Sequence, residues 1–248
     1  MVRKSHETGP IFASFVLTCV LSIEPAVADE PGCIPTERQP ICTCDLTKLR
    51  PLQGAVGMKQ VENRIADDPK LGRQKLEEDP TKVVAGVGGQ LFIIDHHHAA
   101  EAWLAAKTEW GANALCKIVN SEKGLPAEFK TENEFWTALK AARLVRLKNA
   151  SGVDVDASQL PKTLEAMADD PYRSLAWFVR EKGGFCKTAR EFAEFAWADW
   201  FRSKSPTFEI QNLPSDPNEK NATVDEAVEM AHSSEAENLL GYSAVKCQ

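Results

Sequence analysis

The sequence lacks a long hydrophobic run beyond its N-terminus. Of the 248 residues 43% are hydrophobic, but most of them fall in segments too short to span a bilayer. The one longer run, residues 11–23, follows Arg3 and Lys4 and precedes Ala26-Val27-Ala28. A positive start, an apolar core and a small-x-small site are typical of a signal peptide. We therefore expect cleavage near Ala28, a periplasmic or secreted bacterial location, and no stable membrane association of the mature chain.

The sequence also lacks an excess of positive charge. It contains 29 Lys and Arg residues against 36 Asp and Glu residues, which gives a formal net charge of −7. Such a chain does not present the broad positive field that binds nucleic acid non-specifically. The charge counts against a DNA-partitioning role but leaves room for a local basic patch.

The usual metal-binding spacings of cysteine and histidine are missing. The sequence has a C-x-C segment, Cys42-Thr43-Cys44, but no C-x-x-C pair and no H-x-x-x-H. A zinc site is therefore disfavoured, both at Cys42–Cys44 and within the histidine tripeptide described below.

An even number of cysteines in an exported chain favours disulfides. Cys19 lies in the N-terminal apolar run, and the others are Cys33, Cys42, Cys44, Cys116, Cys186 and Cys247. Cys42 and Cys44 are too close in sequence to pair easily with each other. Cys33 and Cys247 lie in the two tails, where a disulfide could join a tail to the body. The sequence does not choose among the remaining pairings.

Hydrophobic periodicity predicts a mixed α+β chain. Two apolar runs, 82–87 and 90–94, surround Gly88-Gly89 and predict a β-hairpin. Further strands are expected at 45–49 and 114–120. Helices are expected at 57–67, 70–78, from residue 96, 132–145, from Tyr172 to the Gly183-Gly184 pair, from a cap at Thr188 to Arg202, and within 221–240.

The same patterns divide the chain into five parts. We expect a signal peptide, a Cys- and Pro-rich lead-in, an α/β core, a helical extension packed on that core, and a weakly structured tail with room for one helix. Their expected bounds are 1–28, 29–43, 44–125, 126–205 and 206–248.

The residues best suited to binding or catalysis lie in the segment 90–103. A buried strand ends at Asp95, His96-His97-His98 follow, and an Ala-rich helix begins there. A helix N-terminus attracts anions such as phosphate, and imidazoles donate hydrogen bonds and titrate near neutrality. The consecutive histidines favour a functional site. The alternative is that Asp95 caps the helix and the histidines face solvent.

A second candidate lies at Asp169-Asp170-Pro171-Tyr172-Arg173. Arg173 could bind a phosphate with two parallel hydrogen bonds. The alternative is a salt bridge between Arg173 and the neighbouring aspartates at a helix start.

The strand, Ile-Ile-Asp-His-His-His and the Ala-rich helix resemble the D-G-H-H-R-type motif of the ParB/sulfiredoxin superfamily. Residues 45–53 are similar to its first box, a strand ending in Pro and Gln. Residues 160–164, 169–177 and 195–202 resemble the ParB-like nuclease family in particular. The resemblance runs from about Cys44 to Arg202. It implies an α+β fold, with a small mixed sheet of the ParB/sulfiredoxin type and a helical C-terminal extension, and nucleotide phosphates bound at the strand-to-helix junction.

The resemblance carries over to single residues. Asp95, His97 and His98 match the acidic and histidine positions of the motif, whereas His96 stands where the superfamily often has Gly. Glu62, on the helix after the first box, is the candidate for the basic glutamate of the superfamily's free-serine kinases. The junction holds no cysteine, so sulfiredoxin chemistry is not expected.

Three functions follow from these residues. The first is a phosphodiesterase or nuclease-like hydrolase acting on a nucleotide or nucleic acid. Its catalytic candidates are Asp95, His97 and His98, the histidines and Arg173 would bind phosphate, and a divalent metal ion is a candidate cofactor. The second is a nucleotide-dependent phosphotransferase with Glu62 as base, and the third is a non-catalytic binding module. Export favours hydrolysis, which needs no ATP. The sequence leaves the substrate, the metal and the oligomeric state open.

Overall fold

The computed structural model of the chain describes residues 41–67, 78–107, 111–204 and 207–247. The expected signal peptide, Cys33 and all but the last residue of the helix predicted at 70–78 lie outside the described residues.

A five-stranded mixed sheet forms the centre of the fold. Its strands are β1 (Ile41–Asp45), β2 (Arg50–Pro51), β4 (Thr81–Ala85), β5 (Leu91–Ile93) and β6 (Asn113–Ile118). They lie in the order β1-β6-β4-β5-β2. The β1–β6 and β4–β5 pairs are antiparallel, and the β6–β4 and β5–β2 pairs are parallel. Two further short strands, β3 (Ala55–Val56) and β7 (Ala168–Asp169), pair in parallel.

Six α-helices accompany the strands in the described part of the chain. They are α1 (Met58–Ala66), α2 (His97–Ala106), α3 (Glu132–Ala142), α4 (Pro171–Glu181), α5 (Ala193–Ser203) and α6 (Ala222–Ala231). Together with the mixed sheet they confirm the expected α+β class.

The predicted hairpin is confirmed. β4 and β5 pair antiparallel across a turn in which Gly88 has φ 65° and Gly89 φ 78°. These left-handed conformations favour glycine. The Gly86 amide closes the turn by donating to the carbonyl of Gln90 at 2.8 Å.

The strand predicted at 45–49 is wrong. β1 precedes it and ends at Asp45. The Asp45 carboxylate accepts hydrogen bonds from the Thr47 amide at 3.0 Å and the Thr47 hydroxyl at 2.6 Å. This local bonding competes with strand pairing and turns Leu46–Lys48 into a single 3-10 turn.

The helix cap predicted at Thr188 is also wrong. The Thr188 hydroxyl accepts only a long bond, 3.4 Å, from the Arg190 amide, and α5 begins at Ala193. Phe192 precedes that helix with φ 59°. This left-handed conformation is not that of an α-helix, so the helix begins after Phe192.

Strand alternation gives the sheet two buried faces. Val83 and Ile93 pack with Val61 of α1 and Trp103 of α2 on one face. The next residues in each strand, such as Phe92, point to the opposite face and pack with α3.

A separate hydrophobic cluster lies among α4, α5 and α6, and includes Phe178, Trp197, Phe201 and Val224. The helix expected within 221–240 is α6, and Asn221 caps it by accepting from the Val224 amide at 3.1 Å.

Disulfides hold both regions. Cys44 is bonded to Cys116, across β1 and β6, and Cys186 to Cys247. Cys42 is disulfide-bonded as well. Cys44 therefore pairs with a cysteine other than Cys42, as expected, and the C-terminal tail is joined to the body through Cys247. The disulfides fit an extracellular location. Within the described ranges, no helix has both the length and the hydropathy needed to cross a membrane.

The Cys44–Cys116 bond constrains the unfolded chain over a separation of 72 residues. We expect the double variant Cys44→Ala/Cys116→Ala to lose about 2–4 kcal/mol of unfolding free energy. Urea denaturation without reductant measures this loss. A change of less than about 0.5 kcal/mol would show that the bond is dispensable.

The junction between β5 and α2 includes one residue with a left-handed backbone. His96 has φ 68° and ψ 21°, a region that costs most L-residues about 1–2 kcal/mol. This is the position at which the superfamily often has Gly. We expect His96→Gly to unfold within about 1 kcal/mol of the parent, because glycine adopts this conformation without strain. His96→Val should lose about 2 kcal/mol or more, because a β-branched side chain is poorly tolerated there. Equal stabilities of the two variants in urea would refute this account.

Candidate functional site

Asp95 fixes the turn from β5 into α2. Its carboxylate accepts from the His96 amide at 2.8 Å and lies 3.3 Å from the Lys82 ammonium. Burial raises the pKa of Asp95, but His96, this amide and Lys82 together leave that pKa below its usual value. No side chain caps the first turn of α2. Asp95 therefore holds the junction and does not cap the helix.

The three consecutive histidines have three different environments. His96 is partly exposed, with 23% of its side chain accessible, and its Nε2 is 3.1 Å from a carboxylate oxygen of Asp79. His97 and His98 are 4% and 9% exposed. The tripeptide thus sends two imidazoles inward and one outward.

His98 joins α2 to the start of α1. Its Nε2 accepts a hydrogen bond from the Gly57 amide at 3.0 Å. Burial, and then the positive charge of Arg173, hold the pKa of His98 well below its usual value. His98 is therefore a neutral acceptor whose Nε2 lone pair is engaged within the protein.

The other amides at the start of α1 are engaged too. The Met58 amide donates to Asp169 at 2.9 Å, and the Lys59 amide donates to the Ser174 hydroxyl at 3.2 Å. Gly57 permits this approach, since a Cβ there would lie 2.8 Å from the Ser174 nitrogen. The start of α1 is thus fitted closely against the first turn of α4.

His97 has an unused nitrogen. Its ring is hydrogen-bonded to the backbone of Ile93, and its buried Nε2 has no hydrogen-bond partner in the described part of the chain. Burial is the main cause that lowers the pKa of His97 to about 3. The imidazole is therefore neutral at physiological pH. Because the bond to Ile93 raises the pKa, we take the ring to be the donor in it, which leaves Nε2 as an acceptor.

Arg173 lies beside these imidazoles and is 6% exposed. Its Nη2 donates to Oε1 of Gln60 at 3.2 Å and is ion-paired with Glu194. Its Nε and Nη1 are buried and have no hydrogen-bond partner within the ranges given above. Burial, and then the charge of Arg180, lower the pKa of Arg173 to about 9. The salt bridge considered from the sequence exists, but the paired acid is Glu194 and not a neighbouring aspartate.

Two more arginines surround the histidines. The charges of Arg173, Arg64 and Arg180 all depress the pKa of His98. Arg180 is ion-paired with Glu194 and Glu181. We call His97, His98, Arg64, Arg173 and Arg180 the arginine–histidine cluster. Within the described ranges, the ion pairs of these cations involve two carboxylates, Glu194 and Glu181. Among these residues the cluster therefore has one more positive than negative charge.

The sequence analysis missed four of these residues: Gln60, Arg64, Arg180 and Glu194. A signal for some of them was present. Arg173 and Arg180 are seven residues apart on one helix, and Gln60 and Arg64 are four apart on another, so each pair shares a helix face. Glu194 gives no comparable sign, because it meets Arg173 only through the packing of α5 on α4.

Glu62 lies outside the cluster's contacts. Its side chain is 51% exposed and its carboxylate pairs with Lys59 at 3.0 Å. Its role as a base stays a prediction.

A further buried acid was not predicted. Glu101 is 7% exposed, and its Oε2 has no partner among the described residues. Burial, then Asp169 and Glu165, raise the pKa of Glu101 to about 7. Those two neighbours place Glu101 beside the start of α1 and not among the arginines.

The described side chains do not assemble an evident metal centre. No group of three or more His, Cys, Asp or Glu residues in the described ranges could hold an ion. What the cluster offers is a set of buried cationic donors and one neutral acceptor, which suits an oxyanion accompanied by a water or hydroxyl group.

The comparisons with known proteins agree with this architecture. Residues 42–203 match a family described as "Putative ParB-like nuclease". No curated protein is significantly similar to the chain. Among solved structures, the crystal structure of protein Atu1540 from Agrobacterium tumefaciens is similar, with a TM-score of 0.67 and 30% identity over 83% of this chain and 98% of that one. The family match covers more than half of the sequence and includes the sheet, the β5–α2 junction and the arginine–histidine cluster. The chain belongs to the ParB-like nuclease family.

Proposed function

We propose that this chain is an exported phosphodiesterase of the nuclease-like type, in which the arginine–histidine cluster binds the phosphate. The observation that carries the proposal is that Arg173 and His97 keep three buried polar atoms without partners. An unsatisfied buried polar group costs about 1–3 kcal/mol. A phosphate oxygen at Arg173 and a water at His97 would satisfy all three.

Charge supports phosphate as the ligand. Among the described residues, the three guanidinium groups of the cluster are paired with only Glu194 and Glu181. The cluster also lies near the N-terminus of α2, where the helix dipole favours an anion. The first turn of α2 contains no acidic residue. A local positive site of this kind is compatible with the negative net charge of the whole chain.

His97 is better suited to binding the attacking water than to binding the phosphate. With a pKa of about 3 it carries no charge at neutral pH, so it does not attract an oxyanion. Its free Nε2 can accept a hydrogen bond from a water and orient it toward the phosphorus. As the water oxygen bonds to phosphorus, the P–O bond to the leaving group breaks, and the leaving oxygen takes the proton that the water releases. Arg173 would then stabilise the negative charge that develops on the phosphate oxygens.

The other candidates take supporting roles. His98 and Asp95 position the junction through the Gly57 and His96 amides, and His96 lies nearer the surface, where it could contact a longer substrate. No step of the proposal uses a metal, and Mg²⁺ or Mn²⁺ dependence is left to the assay.

Hydrolysis fits better than phosphotransfer. The disulfides fit an extracellular location, where ATP is scarce, and the Glu62 base required for phosphotransfer is paired with Lys59. The family name associates these proteins with nucleic acid in general, so DNA and RNA are the first substrates to test.

The neutral state of His97 has a consequence for stability. The unfolded imidazole binds a proton below its usual pKa of 6.5, whereas the folded one does so only near 3. Stability from this group is therefore fully present above pH 6.5 and is lost as pH falls toward 3. The loss is at most about 1.4 kcal/mol per pH unit.

We expect His97→Gln to remove this pH-dependent contribution to stability. The difference in unfolding free energy between parent and variant should therefore change between pH 6.5 and about 3. Urea denaturation at several pH values measures it. Glu101 acts in the opposite sense, since its raised pKa makes stability fall as pH rises from 4.5 to about 7, but it is common to both proteins and cancels. Lys140→Gln, at an exposed position of α3, is the control. A pH-independent difference for His97→Gln would mean that His97 is not held neutral by burial.

The activity itself is tested with DNA, RNA and bis(p-nitrophenyl) phosphate, with Mg²⁺ or Mn²⁺ and with chelator. We expect hydrolysis that falls about 100-fold in His97→Gln and about 10- to 100-fold in Arg173→Lys, which keeps the charge but loses the planar fork. Arg190→Gln, an exposed arginine before α5, is the matched control and should keep full activity. Near-UV circular dichroism verifies folding of each variant.

Two outcomes would contradict the proposal. One is activity that survives in folded His97→Gln and Arg173→Lys. The other is an inactive parent on every substrate, which would favour the non-catalytic binding module.

A further inference from the structure

Three cysteines lie together on one face of the β1–β6 pair. Cys42 and Cys44 are two residues apart on β1, so both side chains point to the same face of the sheet. Cys116 of β6 lies directly opposite Cys42 in the antiparallel register, whereas Ala114 lies opposite Cys44. Cys42, Cys44 and Cys116 are all buried, with 4%, 5% and 0% of their surface exposed. Cys116 therefore has two cysteines of β1 as neighbours.

The disulfide of Cys116 does not join the two cysteines that face each other. Cys116 is bonded to Cys44, which lies diagonally across the two strands at a Cα–Cα distance of 5.8 Å. Directly opposite residues of an antiparallel pair have Cβ atoms about 4.5–5.5 Å apart, whereas diagonal neighbours lie farther apart, at about 7–8 Å. A disulfide needs its Cβ atoms within about 4.5 Å of each other. The register therefore makes Cys42 at least as suitable a partner for Cys116 as Cys44.

Cys42 is held in a disulfide of its own. The other described cysteines are bonded to one another, Cys44 to Cys116 and Cys186 to Cys247, so the partner of Cys42 lies outside the described residues. Disulfides exchange when a thiolate attacks a disulfide sulfur. Because Cys42 has no thiolate while its own bond is closed, that bond determines whether exchange with Cys116 can begin.

Cys44 lies where a displaced thiol can be accommodated. It lines a cavity of about 670 Å³, and Leu49 and Leu91 line the same cavity. Both leucines belong to the hydrophobic cluster that contains Cys44 and Cys116, so the cavity lies on the sheet face that carries the three cysteines. A sulfur that leaves Cys116 at this position can turn toward the cavity without displacing the packed core.

We propose that Cys42, Cys44 and Cys116 form a redox-sensitive exchange site. When a dithiol reduces the disulfide of Cys42, the dithiol becomes a disulfide, and Cys42 and its partner are released as thiols. The Cys42 thiolate then bonds to the Cys116 sulfur, the Cys44–Cys116 bond breaks, and Cys44 leaves as a thiolate that takes a proton from water. β1 stays joined to β6, and a free thiol appears beside the cavity. The proposal is independent of phosphodiester hydrolysis at the arginine–histidine cluster.

The parent chain tests the exchange directly. The folded protein is titrated with dithiothreitol and quenched with acid, and its free thiols are labelled with N-ethylmaleimide in denaturant. Trypsin then separates the peptides 39–48 and 108–117, of which the first contains Cys42 and Cys44 and the second Cys116. In the first species whose peptide 39–48 carries a label, we expect fragmentation to assign the label to Cys44 and the bond to Cys42–Cys116.

The variant Cys44→Ala tests the same exchange without a reductant. Cys116 then lacks its partner, and its thiolate can attack the Cys42 sulfur, so that the Cys42–Cys116 bond forms and the former partner of Cys42 leaves as a thiolate. We expect most molecules to show the two peptides joined, with Cys42 as the only cysteine of the first. Cys186→Ala is the matched control. Its Cys247 should remain a free thiol, because no strand of the described ranges places another cysteine opposite it.

Two outcomes would overturn the proposal. One is a first labelled species of the parent in which Cys42 carries the label and Cys44 stays bonded to Cys116. The other is a Cys44→Ala chain, verified as folded by near-UV circular dichroism, in which Cys116 is free and labelled. Because the parent needs no substitution, its result decides the question even where Cys44→Ala does not fold.

Discussion

A guanidinium buried between two hydrophobic clusters constrains this fold more than any other group. Arg173 is 6% exposed, and a charge in that position must be neutralised and hydrogen-bonded where it lies. Gln60 provides an acceptor from α1 and Glu194 provides a carboxylate from α5. Arg173 thereby fixes the helices of the sheet region against those of the C-terminal region. Leaving Arg173 without Glu194 would cost several kcal/mol, so the packing of α5 on α4 and the geometry of the site are coupled.

The same junction explains how three identical side chains acquire three roles. The left-handed backbone at His96 reverses the chain before α2 begins, so His96 is directed outward while His97 and His98 enter the interior. The sequence was sufficient to locate the junction, because an apolar run ends at Asp95 and an Ala-rich run follows it. It was not sufficient to assign the partners. The amide that bonds His98 lies 41 residues away, and the Gln60–Arg173 contact spans 113 residues. Contacts of that kind depend on tertiary packing, which periodicity does not encode.

The errors in secondary structure have a local cause of the same type. Both occur where a short polar side chain can bond to the backbone in more than one way. Asp45 stops a strand by accepting from Thr47, and Thr188 resembles a helix cap but stabilises only a bend. Long periodic segments were predicted correctly, α1, α3 and α4 among them, because many residues contribute to each. A single polar residue at a boundary carries far less information than a repeated pattern.

The two ends of the first turn of α4 give the strongest physical reason to regard the cluster as a binding site. Asp170 is fully buried, and its carboxylate is saturated by the Tyr172 and Arg173 amides and by Arg202 at 2.6 and 2.7 Å. Arg173, three residues later and equally enclosed, keeps two nitrogens without partners. Loose packing would leave both ionic groups poorly satisfied. The difference arises within one turn of one helix. An anion bound there would give Arg173 the saturation that Asp170 already has.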